Sequence, residues 1–172
     1  MVKIQCAPTV ERPVAKERHP LTNRTYRVAT TAIESCWLLV SKCLHFRIPG
    51  ALIYGDSRLG KTYAIEYLRM LINKERPEIP TFHIQAEHKA NRSEGAFFSS
   101  LLRAVRHPEP EIARNSRKRK ELHDRLRAVA ESQNSSMVVF FCDEAQRFTI
   151  HEYEWLRDVH DELAQSGVRL TT

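Results

Sequence analysis

The chain has four cysteines in 172 residues, and none of them forms a C-x-x-C pair. Cys6, Cys36, Cys43 and Cys142 therefore read as free thiols of a reducing compartment, which excludes a disulfide scaffold or a zinc framework. Cys36, Cys43 and Cys142 stand among apolar neighbours and read as small core residues. No uninterrupted apolar stretch approaches transmembrane length, and the N-terminus carries charges and prolines in place of a signal sequence. No membrane partner is expected, and cytoplasmic residence follows. None of the eight histidines sits in an H-E-x-x-H or similar metal pattern. His83 and His88 lie near a strand end and read as solvated or hydrogen-bonded. No Ser-His-Asp order and no G-x-S-x-G appear, so serine-hydrolase chemistry has no support. There is no internal repeat and no low-complexity tract.

What remains is an ordinary globular composition, 42% apolar and 28% charged, at a length that fits one domain with a buried core. Glycine is scarce as well, five in all, and two of the five fall in one octapeptide. Residues 55–62 read Gly55, Asp56, Ser57, Arg58, Leu59, Gly60, Lys61, Thr62, which is the phosphate-binding loop G-x-x-x-x-G-K-[ST]. Triphosphate charge must be met by groups that approach closely, and Gly55 and Gly60 let the backbone wrap tightly with its N–H groups turned inward. Lys61 supplies a point charge to the β- and γ-phosphates, and the Thr62 hydroxyl is a ligand for Mg²⁺. The helix that starts here adds the positive end of its dipole. These eight residues and Tyr63 are the candidate nucleotide-binding set, with ATP and Mg²⁺ as the ligands.

A bare match of this kind arises by chance, so its surroundings decide. Upstream, residues 48–54 form a short apolar run that reads as a buried strand. Downstream, Ala64, Ile65, Leu68, Leu71 and Ile72 recur at helical spacing until Pro77 ends the pattern. Strand, loop and helix stand in the required order. Such a site also needs an acidic group on a neighbouring strand. Residues 137–142 are six apolar residues that read as a fully buried strand, and Asp143 and Glu144 follow at its C-terminal end, where ligands bind in open α/β sheets. Asp143 is the metal-side candidate. Glu144 is the candidate general base, which orients and deprotonates the water that attacks the γ-phosphate. Glu144 and Lys61 are thus the catalytic candidates.

Residues 1–20 hold Pro8, Pro13 and Pro20 among charges and read as an extended or disordered arm, leaving residues 21–172 as the folded core. A helix is expected from Thr22, capped by Thr22 or Asn23, with Tyr26, Ala29, Ile33, Trp37, Val40 and Leu44 on one face and Trp37 as a core anchor. Residues 80–86 read as a second strand. Ser93 can cap a helix that buries Phe97, Phe98, Leu101, Leu102 and Val105 and stops at His107-Pro108. Another helix runs from Glu111 or Ser116 to Glu131, with Leu122, Leu126 and Val129 inward. After the acidic strand, Trp155, Val159 and Leu163 mark a helix closed by Ser166-Gly167, and residues 168–172 open one more strand. Strands alternating with helices argue for a parallel sheet covered on both faces.

Net charge is +6, which favours a polyanionic partner. The charge is concentrated in Arg114, Arg117, Lys118, Arg119 and Lys120, followed by Arg125 and Arg127. One reading is a solvated helix face. The other is a surface that tracks a DNA backbone, because clustered Lys and Arg gain affinity by releasing condensed counterions. No aromatic residue interrupts the run, so base stacking is not suggested there.

The loop at residues 55–62, with Phe141-Cys142-Asp143-Glu144-Ala145-Gln146, resembles the AAA+ ATPases of transposition, the TnsC and TniB group. The Asp-Glu-Ala-Gln ending is shared by the ExeA-like ATPases. The resemblance spans about residues 20–172 and implies an AAA+ P-loop fold. It also implies an ATP-dependent regulator that binds double-stranded DNA and assembles into homo-oligomeric rings or filaments. Such a regulator links a target-selection protein of the TniQ or TnsD kind to the transposase. Lys61, Thr62, Asp143 and Glu144 would carry the nucleotide roles, and Gln146 would act as a polar sensor or a helix cap. The family continues into a sensor strand, an arginine finger and a helical lid. This chain stops at Thr172 without a lid, so weak turnover is expected. The competing expectations are an ExeA-like secretion or protein-remodelling ATPase and a helicase loader. A nucleotide kinase is disfavoured, because Asp-Glu after an apolar strand suits water activation better.

Overall fold

A computed structural model describes residues 29–56, 58–86, 93–111 and 114–172. The N-terminal arm, the Thr22 and Asn23 caps, Tyr26, Ser57, His88 and Cys6 lie outside the described residues. Three parallel strands, β1 (Thr81–Gln85), β2 (Met137–Asp143) and β3 (Arg169–Thr171), lie in the order β1-β2-β3. Gln85 is the register partner of Asp143, and Val139 pairs with both Thr81 and Thr171. Five helices cover the sheet: α1 (Thr31–Phe46), α2 (Lys61–Glu75), α3 (Glu94–Ala104), α4 (Asn115–Ser132) and α5 (Ile150–Gln165).

Side chains alternate across a strand, and β2 shows why both faces need cover. Val138 and Phe140 pack with Leu101, Leu102, Leu122, Leu126 and Leu163 from α3, α4 and α5. Met137 and Val139 pack on the opposite side with Val40, Leu44, Leu68 and Ile72 from α1 and α2. A strand buried on both faces must be apolar throughout, which accounts for the run before Asp143. Truncating a fully buried side chain such as Leu126 to Ala would cost about 2–5 kcal/mol.

Local signals set the helix ends. Thr30, Ser93 and Thr149 each accept a hydrogen bond from a first-turn N–H of α1, α3 and α5, and Thr149 forms a full capping box with Glu152. The helix α2 stops at Glu75, just before Pro77, and Gly167 at φ 82° follows the end of α5.

Two elements differ from the sequence reading. The first helix starts at Thr31, because the Thr30 hydroxyl caps it, and Ala29 stands outside it. Residues 48–54 are not a buried strand: only Gly50 is partly covered, and Leu52 and Tyr54 are 77% and 89% exposed. The segment does lie along the sheet. Thr172 donates its N–H to the Pro49 carbonyl, and Ala51 donates to the Thr172 carbonyl, a parallel pairing centred on Gly50. That approach is close, since a Cβ at Gly50 would lie 2.3 Å from the Thr172 carbonyl oxygen. Among the described residues no backbone hydrogen bond reaches residues 52–54, and apolar character alone does not make a strand.

Candidate functional site

The turn into α2 and the end of β2 meet above the sheet. Arg58 at φ 65° and Gly60 at φ 82° bend the chain into the helix; for Gly60 the left-handed conformation carries no Cβ penalty. In contrast to α1, α3 and α5, no side chain caps α2, and its first turn holds no acidic residue. Its leading N–H groups and its positive dipole end are therefore left for an anion. The Lys61 ammonium donates to the carbonyls of Gly55 and Asp56, at 2.8 and 2.7 Å, which folds the lysine back over the loop. Gly55, Asp56, Leu59 and Tyr63 are exposed.

Across from the loop, Asp143 is 4% exposed. Its Oδ2 accepts a 2.8 Å hydrogen bond from the Thr62 hydroxyl, and its Oδ1 accepts one of 2.9 Å from the Glu144 N–H. Buried carboxyl oxygens need such donors in place of the water they have lost. Thr62 and Asp143 are thereby brought together as two hard oxygen donors. Among the described residues no three His, Cys, Asp or Glu side chains converge to cage a metal. The chemistry of the two oxygens suits a hard cation such as Mg²⁺, which takes one or two protein oxygens and fills its shell with phosphate oxygens and water.

Glu144 adopts a left-handed conformation at φ 55°, a strain of about 1–3 kcal/mol for a residue with a Cβ. The chain then enters a short 3₁₀ turn, Ala145–Arg147, which is anchored to α5 by the Tyr153 hydroxyl donating to the Ala145 carbonyl at 2.8 Å. The turn folds back on the acid before it. The Gln146 amide donates to the Glu144 carboxylate at 2.9 Å, and the Arg147 guanidinium lies 3.3 Å from the same oxygen. Beside them, burial pushes the Cys142 thiol up to about 12, so it stays protonated and inert at neutral pH.

The basic helix α4 is placed differently from a free cationic face. Lys118 is buried, and its ammonium donates to the Gly95 carbonyl at 3.0 Å and to the Ser99 hydroxyl at 2.8 Å. Arg119 is ion-paired to Glu94 at 2.6 Å and Asp158 at 3.4 Å, with its guanidinium 5.0 Å from the centre of the Phe98 ring. Arg125 donates to the Val105 carbonyl at 3.4 Å. Arg114, Arg117 and Lys120 are exposed, with Arg117 loosely paired to Glu121 at 3.4 Å. Half of the basic set therefore ties α4 to α3 and α5.

His83 on β1 departs from its sequence reading as a solvated or hydrogen-bonded side chain. Its Nε2 is sealed from solvent without a hydrogen-bond partner, 3.7 Å from Asp143 Oδ2, because β1 pairs with β2 beside the acid. Elsewhere, an open groove of about 440 Å³ between Pro49, Gly50, Thr172 and the Leu156, Arg157 and His160 face of α5 shares no residue with the loop or the acidic pair. No described helix is long and apolar enough to cross a membrane.

A glycine-bounded loop opening an uncapped helix, set against a carboxylate at the end of a parallel strand, defines a P-loop nucleotide-binding protein of the α/β class. The sequence model described as an AAA domain matches residues 50–171, and the chain belongs to that family. No curated protein and no solved structure matches the chain significantly.

Proposed function

We propose that this AAA domain binds ATP with Mg²⁺, hydrolyses it slowly, and serves as a nucleotide-dependent DNA-binding switch in transposition. The observation that supports the nucleotide half is the 2.8 Å contact between Thr62 of the loop and Asp143 of the strand end. It joins the loop to the strand end with two oxygens that a shared ligand site can use. The open N–H groups of α2 cradle phosphate oxygens. Lys61 keeps its position through the Gly55 and Asp56 carbonyls and turns its third N–H to the β- and γ-phosphates. Thr62 and Asp143 hold the cation between them. Magnesium, when bound, neutralises phosphate charge and fixes the leaving oxygen. Glu144 takes the proton of the attacking water. In the present geometry its carboxylate is occupied by Gln146 and Arg147, which must give way before it meets a water, and this supports slow turnover.

The DNA half rests on the net charge of +6 and on the resemblance to the TnsC and TniB group. In this reading the exposed Arg114, Arg117 and Lys120 face a phosphate backbone, while Lys118, Arg119 and Arg125 hold the helix that presents them. Nucleotide-driven rings or filaments of this chain on double-stranded DNA would then be read by a transposase and a target-selection protein. The inward engagement of half the basic set favours a second reading, a protein-remodelling ATPase of the ExeA kind for which DNA is irrelevant.

Titration of ATP with Mg²⁺ into the folded chain tests the first half. Heat of binding is expected, and its absence overturns the reading. DNA gel shifts across a salt series, with and without a non-hydrolysable ATP analogue, test the second. Analogue-dependent binding with a steep salt slope supports the transposition switch. No binding at low salt supports the remodelling ATPase.

A further inference from the structure

The imidazole of His83 has no role in the chemistry above, yet its Nε2 is the one ring nitrogen among the described residues that is both sealed from water and without a hydrogen-bond partner. The register of the sheet explains where it points. Gln85 is the partner of Asp143 across β1 and β2, and His83 stands two residues earlier, opposite Phe141. Residues two apart share a face, so His83, Phe141 and Asp143 all project toward the side covered by α1 and α2, where Phe141 packs. This brings Nε2 to 3.7 Å from Asp143 Oδ2, just beyond hydrogen-bond length and within reach of a small turn of the ring.

The carboxylate has room for that donor. Oδ1 accepts from the Glu144 N–H and Oδ2 from the Thr62 hydroxyl, and each carboxylate oxygen has two lone pairs. The Thr62 hydroxyl has one proton to give, and its oxygen is also a candidate cation ligand. His83 approaches Asp143 Oδ2 from the neighbouring strand and not from the loop, so it can hold that oxygen whichever way Thr62 turns.

Building on the nucleotide reading, we infer that His83 is a positioning residue. Through Nε2–H it donates to Asp143 Oδ2 and fixes the plane of the carboxylate for the cation that accompanies the nucleotide. The relation is that of an outer partner to a metal-ligating side chain, whose loss typically weakens metal affinity 10- to 100-fold. No proton is transferred.

Two readouts on the full chain test this. The first is binding of a fluorescent, non-hydrolysable ATP analogue, measured in EDTA and across a Mg²⁺ series, for the wild type, His83→Leu and His83→Gln. Leu keeps the bulk and removes the donor; Gln restores an N–H near the position of Nε2. The Mg²⁺-dependent gain in affinity is expected to fall about tenfold in His83→Leu and to return in His83→Gln, with affinity in EDTA equal in all three. An undiminished gain in His83→Leu overturns the proposal. So does an equal loss in EDTA, which marks a merely structural residue. The second readout is the ¹⁵N spectrum of the His83 ring in the nucleotide-free protein, where the Nε2–H tautomer is expected and the Nδ1–H tautomer overturns the assignment. Should the wild type bind no ATP at all, the nucleotide reading fails, and the spectrum still decides whether His83 donates to Asp143.

Discussion

Lys61 and Lys118 both donate to backbone carbonyls, Lys61 to those of Gly55 and Asp56 and Lys118 to that of Gly95. Their surroundings differ. Lys61 is half-buried at the open start of α2, where nothing anionic from the chain caps the helix, whereas Lys118 is sealed between α3 and α4 with Ser99 as its second acceptor. The two stretches they belong to look equally phosphate-seeking by charge. One is encoded by spacing, in which each residue type has a fixed place relative to a turn and a helix start. The other is encoded by composition, which counts charges without saying which way they face. A buried, satisfied ammonium stabilises the fold and repels no one, but it cannot release counterions from DNA.

The sharpest break of this comparison is at Lys61. Replacing it with Ala removes the charge that the loop carbonyls hold in place and is expected to weaken ATP binding on the order of a hundredfold or more, as calorimetry would read. Normal affinity in that variant would dissolve the distinction between the two lysines. Glu144→Gln comes next. It keeps a side chain of the same shape beside Gln146 and Arg147, so nucleotide affinity should stay within about twofold of the wild type. Phosphate release, if it depends on a general base, should drop roughly 10²–10³-fold. Retained turnover would move the base to another residue.

Lys118→Ala addresses the opposite pole. It strands the Gly95 carbonyl and the Ser99 hydroxyl at the α3–α4 contact, for a loss of about 2 kcal/mol and a fall in Tm of roughly 4–8 °C. Its effect on the salt dependence of DNA binding should be nil. A variant with unchanged Tm and weaker DNA binding would place Lys118 at the surface after all.

The order of loop, helix and acidic strand was legible from sequence because each carries its own local code: glycines at fixed offsets, an apolar run buried on two faces, Pro77 after a helix. Ser93 and Gly167 were legible for the same reason. The segment at residues 48–54 was not, because whether an apolar run becomes a strand depends on a backbone partner far away in sequence, here Thr172 beside Pro49 and Ala51. The burial of Lys118 had a signal that charge counting hides. It stands four residues before Leu122, on the stripe that continues through Leu126 and Ala130, all fully buried. The pairing of Arg119 with Glu94 and Asp158 had none, since it needs the packing of three helices. His83 likewise becomes meaningful only once the register of β1 on β2 is known.

The finest test lies at Lys120, two residues along α4 from Lys118 and exposed. If the outer face of this helix tracks a DNA backbone, Lys120→Ala should reduce affinity for all sequences alike and lower the slope of log K against log salt by about one, with no change in Tm. Arg114→Ala and Arg117→Ala should behave in the same way, the latter less strongly because Glu121 already competes for its guanidinium. An unchanged slope in all three would mean that the outward half of α4 is a solvated face, as the inward half is a structural one. The chain's excess charge would then act elsewhere, and the remodelling ATPase would become the better reading.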